Sequence, residues 1–203
     1  MTIALHEGDL PAGVDFGPSL AIDTETMGLN PVRDRLCLVQ MCGADGQVHL
    51  VRFARGIYQA PRLCAVLTDP RVLKIFHFAR FDLATIHHHL GVMTGPVYCT
   101  KMASRLVRTF TDRHGLKDIA RELLGVELSK EQQSSDWGAP ELSAAQQRYA
   151  AADVVHLHAL KQRLDDMLAR EGRTELAASV FACLPTRARL DLLGWAETDF
   201  FAH

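Results

Sequence analysis

Nowhere does the chain hold an apolar run near the ~20 residues needed to cross a bilayer. The opening stretch MTIALHEGDL lacks the basic segment followed by an apolar one that marks a secretory leader. Cysteine is sparse and odd in number. Cys37, Cys42, Cys64, Cys99 and Cys183 are scattered, with no CxxC pair, as expected of reduced thiols in a cytoplasmic protein. These absences predict a cytoplasmic location and no membrane association. Internal repeats and low-complexity segments are missing as well. So is any excess of positive charge: 22 Lys and Arg stand against 24 Asp and Glu, for a net charge of −2. That balance does not suit a protein that wraps long duplexes by neutralising phosphates. It leaves room for one that grips a short nucleic-acid end.

What is present is an ordinary globular composition, 48% apolar and 23% charged. The length of 203 residues fits a single domain, 1–203, with a core over about 19–170 and a helical extension over about 173–203. The run SLAIDTET (19–26) reads as a buried strand with an acidic end. Two β-rich runs, RLCLVQMCG (35–43) and QVHLVRF (47–53), flank Ala44-Asp45-Gly46 and predict a hairpin, so the first three strands form an antiparallel meander. A helix follows at 59–68, then a strand at 72–77, a helix from near Arg80, a strand at 96–100 and helices at 101–108 and 115–125. Residues 126–142 read as loop. Ser143 with Gln146 forms a capping box that opens a long helix to about residue 169. A meander followed by strand–helix alternation indicates an α/β fold with a mixed central sheet flanked by helices.

Three short patterns carry chemistry. Asp23-Thr24-Glu25 places two carboxylates on one face of a strand, because side chains at i and i+2 share a face. Such a pair repels unless a cation lies between, and oxygen ligands of this kind suit Mg²⁺ or Mn²⁺; a solvated loop entrance offers the plainer alternative. Asp82 lies just past a strand end, where α/β sheets gather functional groups, and would serve equally as an acid at a helix N-terminus. Tyr149 and Asp153 sit four apart on one helical face, with three alanines between them. Elsewhere, six Lys and Arg between Lys101 and Arg121 form either a solvated face or a phosphate-steering surface. The cluster His87-His88-His89 reads as a solvated helix end.

Taken in order, Asp-x-Glu, then Asp, then Tyr-x-x-x-Asp resembles the tyrosine-using branch of the DEDD 3′–5′ exonucleases, whose fold is RNase H-like. Arg148 stands where the sister branch places a histidine. Ser134-Ser135-Asp136-Trp137 and the segment Leu116 to Leu123 look like RNase D. HEGDLPAG, DTETMGLNP and the tail RARLDLLGWAETDFFAH look like nanoRNase C, a bacterial family that degrades two-residue and other very short oligoribonucleotides. One departure stands out: Phe78 follows His77 where asparagine is usual.

The resemblance implies two divalent cations, Mg²⁺ or Mn²⁺, held by Asp23, Glu25, Asp82 and Asp153, with Tyr149 orienting the attacking water. It implies that Thr24, Met27, Gly28, Leu29 and His77 contact the substrate, with Leu29 or Met27 wedged against the terminal bases; core packing is the alternative for those two. The expected partner is short RNA, with DNA an open alternative. A broader RNase D-like action on longer ends and a silent nucleic-acid-binding module are the competing readings. The resemblance also implies a closed homo-oligomer, in that family a ring of eight. The apolar tail (Leu190, Leu192, Leu193, Trp195, Phe200, Phe201) would bury itself at a subunit interface or on its own core.

Overall fold

The computed structural model describes residues 2–129, 131–200 and 202. Six strands form one mixed sheet: β1 (Ile3–Glu7), β2 (Ser19–Thr26), β3 (Leu36–Gly43), β4 (Val48–Arg52), β5 (Leu73–Phe76) and β6 (Val97–Cys99), in the order β1-β4-β3-β2-β5-β6. The expected meander is β2-β3-β4, antiparallel throughout. β5 and β6 extend it with parallel pairing. Every residue of β3 is buried, as a central strand of an apolar run must be.

Two elements differ from the sequence reading. β1 was not anticipated, and the sheet therefore begins well before residue 19. It is short, polar at His6 and Glu7, and joins β4 in parallel, a pairing no local pattern announces. The stacked rings of His6 and His49, with Nε2 and Nδ1 3.0 Å apart, pin it there. The long helix after the capping box is in fact two, α5 (Ala144–Val155) and α6 (Leu157–Arg170), broken at His156, whose φ/ψ of −95/−6 leaves the helical ladder. The capping box itself is complete, with Ser143 Oγ accepting from Gln146 N and Gln146 Oε1 accepting from Ser143 N.

The remaining helices are α1 (Pro61–Thr68), α2 (Ala79–Leu90), α3 (Thr100–Val107), α4 (Leu116–Leu124) and α7 (Thr174–Leu190). Helix α5 lies on β2, β3 and β4; α2 packs on β2, β3 and β5. The alanines Ala150 and Ala151 are fully buried and let α5 approach the sheet closely. Among the described residues no helix is long and apolar enough to cross a membrane.

The basic stretch 101–121 divides. Arg108 is an internal strut, buried, donating to Ser104 Oγ (3.0 Å) and the Arg113 carbonyl (2.6 Å) and paired with Glu122. Arg121 pairs with Asp118. Only Lys101 and Lys117 reach the cleft described below. The histidine cluster is not wholly solvated either: His89 packs on Tyr58 and lies 3.3 Å from the Asp34 carbonyl, while His88 is exposed.

After α7 the chain makes one wide turn, Asp191–Trp195, in which Gly194 takes a φ of 98°. Arg80 on α2 and Arg187 on α7 both hold the Asp191 carboxylate, at 2.5 and 3.0 Å, and Arg80 also donates to the Ala196 carbonyl. Leu190 and Leu192 are partly buried, whereas Leu193, Trp195 and Phe200 stay exposed. The tail is thus docked on its own core by charge and leaves part of its apolar surface uncovered. Phe201 lies outside the described residues.

Candidate active site

Strand β2 carries the first two acids. Asp23 and Glu25 project from one face, toward α5, and Asp153 meets them one turn beyond Tyr149. One carboxylate oxygen from each of Asp23, Glu25 and Asp153 lies within 4.8 Å of the others. Thr24 projects to the opposite face. It is buried and donates to Asp82 Oδ1 at 2.7 Å, which holds the first turn of α2 against β2. Asp82 itself is only 2% exposed and sits behind the other three acids, close enough to Asp23 that the Asp23 charge disfavours its ionisation.

Electrostatics test whether a cation fits. All four carboxyls are held well above the usual carboxylate range. Burial is the main cause in each, and neighbouring carboxylates add to it for Glu25, Asp82 and Asp153. A buried cluster of like charges with hard oxygen donors is what a divalent cation neutralises. The Tyr149 phenol is also pushed up, by burial and by Asp153, Glu25 and Asp23. It therefore stays protonated and can donate a hydrogen bond. Its ring packs 6.0 Å from that of the buried Trp137.

Asp23, Glu25, Asp153, Tyr149 and Trp137 line a cleft of about 710 Å³, and Asp82 does not. Met27, Gly28, Leu29 and His77 line it too, so each residue expected to touch substrate is at the cleft, although the Thr24 side chain is spent on Asp82. Met27 and Leu29 are exposed, Leu29 by 87%, which is not core packing. A Cβ at Gly28 would overlap the Asp34 carboxylate, so that side chain would have to move. Asp34 in turn accepts from Asn30 N and pairs with Arg33, bracing the loop that presents Leu29. The His77 imidazole is held neutral, its pKa lowered to about 3 by burial and by Lys101, and its Nδ1 faces Thr100 Oγ1 at 2.9 Å.

Phe78 explains the departure noted above. Its φ/ψ of 69/45 is left-handed, a region that asparagine visits far more readily than an aromatic residue. Here a phenylalanine holds that conformation and offers its ring to Lys101, whose Nζ lies 4.1 Å from the ring centre. Phe78, Phe81, Leu128 and Gln133 also line the cleft. They carry no pattern that sequence reasoning could have used, apart from the asparagine expected at 78.

The 3′–5′ exonuclease family matches residues 11–169. With that match and the acids in their expected order, the chain belongs to the 3′–5′ exonucleases, in the DEDD, RNase D-like group. NrnC of Brucella melitensis, in a structure with bound Mg²⁺, is 53% identical with a TM-score of 0.96, covering all of both chains. A second structure of that protein, bound to pGG, is 54% identical with a TM-score of 0.96 and covers 100% of this chain and 99% of that one. Ribonuclease D of Gluconacetobacter diazotrophicus is 40% identical over 82% of this chain but only 42% of its own length. The chain spans less than half the length of the curated relatives it matches.

Proposed function

We propose that this chain is a 3′–5′ exoribonuclease that degrades very short oligoribonucleotides, down to dinucleotides, to nucleoside 5′-monophosphates. The observation that carries the reading is the convergence of Asp23, Glu25 and Asp153 oxygens within 4.8 Å, beside the Tyr149 hydroxyl and at the floor of a cleft. Asp23, Glu25, Asp153 and, behind them, Asp82 would hold two divalent cations, Mg²⁺ or Mn²⁺. When bound, these supply the positive charge that stabilises the attacking and leaving oxygens of an in-line displacement. Tyr149, kept protonated, orients the water. Met27, Gly28 and Leu29 seat the terminal bases, with Leu29 as the wedge, and the Thr24 backbone and His77 complete that wall. Lys101 and Lys117, which also line the cleft, face the substrate phosphates.

Similarity along the whole of a protein solved with pGG supports a short substrate. Hydrolysis of an RNA and DNA length series tests this. The expected kcat/KM is highest on the RNA dinucleotide and lower by about tenfold or more on long RNA. EDTA should abolish release of monophosphate, and excess Mn²⁺ or Mg²⁺ should restore it. A rate that rises with length would favour the broader RNase D-like reading. No release under any metal would favour a silent binding module.

The same reading places the enzyme in the cytoplasm as a homo-oligomer, up to a ring of eight. Leu193, Trp195 and Phe200 supply apolar area for a subunit contact. Removing the tail after Leu190 spares α7 and its buried Ala188. Light scattering should then show a smaller species than the full chain. An unchanged mass would place the interface elsewhere.

A further inference from the structure

Strand β3 is apolar along its buried length except at one position. Leu36, Cys37, Leu38, Val39, Met41 and Cys42 are the residues a central strand requires, and in their midst Gln40 is also 0% exposed. Burying a primary amide is unfavourable unless both its ends find partners. Here one end does. Gln40 stands directly opposite Asp23 in the antiparallel β2–β3 ladder, so the two side chains share a face of the sheet. Its Nε2 donates to Asp23 Oδ2 at 3.0 Å. The same amide also favours the ionised form of the Glu25 carboxylate.

The other end has nothing. Gln40 Oε1 is buried without a partner among the described residues, and an orphaned buried acceptor costs about 1–3 kcal/mol. Turning the amide over would not help. Once a cation holds the acids in their ionised form they only accept, so the flipped group would set Oε1 against them and lose the bond to Asp23. The orphan acceptor is the consequence of aiming the NH₂ at the acid cluster. A residue needed only to fill this space would be Leu or Met, like its neighbours along the strand.

We infer that Gln40 is a positioning residue of the cation site: it fixes Asp23, and with it Glu25, in the arrangement that receives a divalent cation. The inference rests on the cation-site reading proposed above. Physically, a carboxylate held by an outer hydrogen bond needs no ordering when the ion arrives, and loss of such outer partners typically lowers affinity about 10–100-fold.

Calorimetric titration of the full chain with Mn²⁺, in the absence of nucleic acid, tests this. Three proteins are compared: wild type, Gln40→Met and Gln40→Asn. Methionine keeps the length and flexibility of glutamine and removes both the donor and the orphan acceptor. The variant should fold with a thermal midpoint in EDTA no lower than wild type, yet bind Mn²⁺ about 10–100-fold more weakly. Asparagine keeps the amide but is one methylene too short to reach, and its affinity should fall in the same direction; it covers the case in which methionine disturbs the packing. A merely structural role would lower the midpoint and leave the affinity alone. Wild-type affinity in both variants overturns the role of Gln40 and leaves the cation site standing. Failure of the wild type to bind Mn²⁺ overturns the site and this inference together.

Discussion

Asp23→Asn is expected to abolish nucleotide release, by about 10³-fold or more, beyond what one oxyanion-stabilising donor usually contributes, while the chain stays folded. Asp23 is the acid that the others share. Its charge disfavours ionisation of Glu25, Asp82 and Asp153 alike, and its oxygens belong to the one triad of potential cation ligands among the described residues. Asparagine keeps the shape and the reach to Gln40 but removes the charge. The metal-free protein is thereby relieved of repulsion, so its thermal midpoint in EDTA should hold or rise. Steady-state assay on a dinucleotide, with circular dichroism and a melt alongside, checks both halves. Activity within a few-fold of wild type would sink the assignment. Loss of activity with loss of fold would mean that Asp23 is structural.

For Tyr149→Phe a fall in kcat of about 10²–10⁴-fold is expected, the range typical of groups that position or transfer a proton. The ring stays, so its packing beside Trp137 survives, and the four acids are untouched, so Mn²⁺ affinity should match wild type. The sign of the phenol's shift makes the role specific. Burial and the carboxylates of Asp153, Glu25 and Asp23 raise its pKa, so it is protonated at any pH the enzyme works in. The expected role is to donate and orient, not to serve as the base. The fall should therefore be the same at neutral and mildly alkaline pH. A gap that widens as pH rises would point to a phenolate base. An unchanged kcat would move the positioning of water to another residue.

Some of this site could be read before any fold was known. Asp23 and Glu25 share a face because a strand repeats every two residues, and Tyr149 and Asp153 share one because a helix nearly repeats at four. The capping box placed the start of α5 correctly. The meander followed from two β-rich runs around a short turn. The tail's apolar content was evident as composition, but not its partial docking through Arg80 and Arg187 on Asp191.

Periodicity and short-range turns thus determined the elements and which acids sit on each, since both are set by covalent geometry within a few residues. What joins distant segments was decided only by the tertiary structure. Nothing near Asp82 says that Thr24 will hold it 58 residues away, or that it will lie behind the other acids rather than beside them. In sequence Gln40 is only one polar residue in an apolar strand; the register puts it opposite Asp23. Leu29 and Met27 were balanced between core and cleft, and the loop braced by Asp34 turned them out. The parallel edge strand β1 and the break at His156 belong to the same class. In each case the deciding energy is a contact between residues far apart in sequence, and such a contact exists only once the sheet order has brought them together.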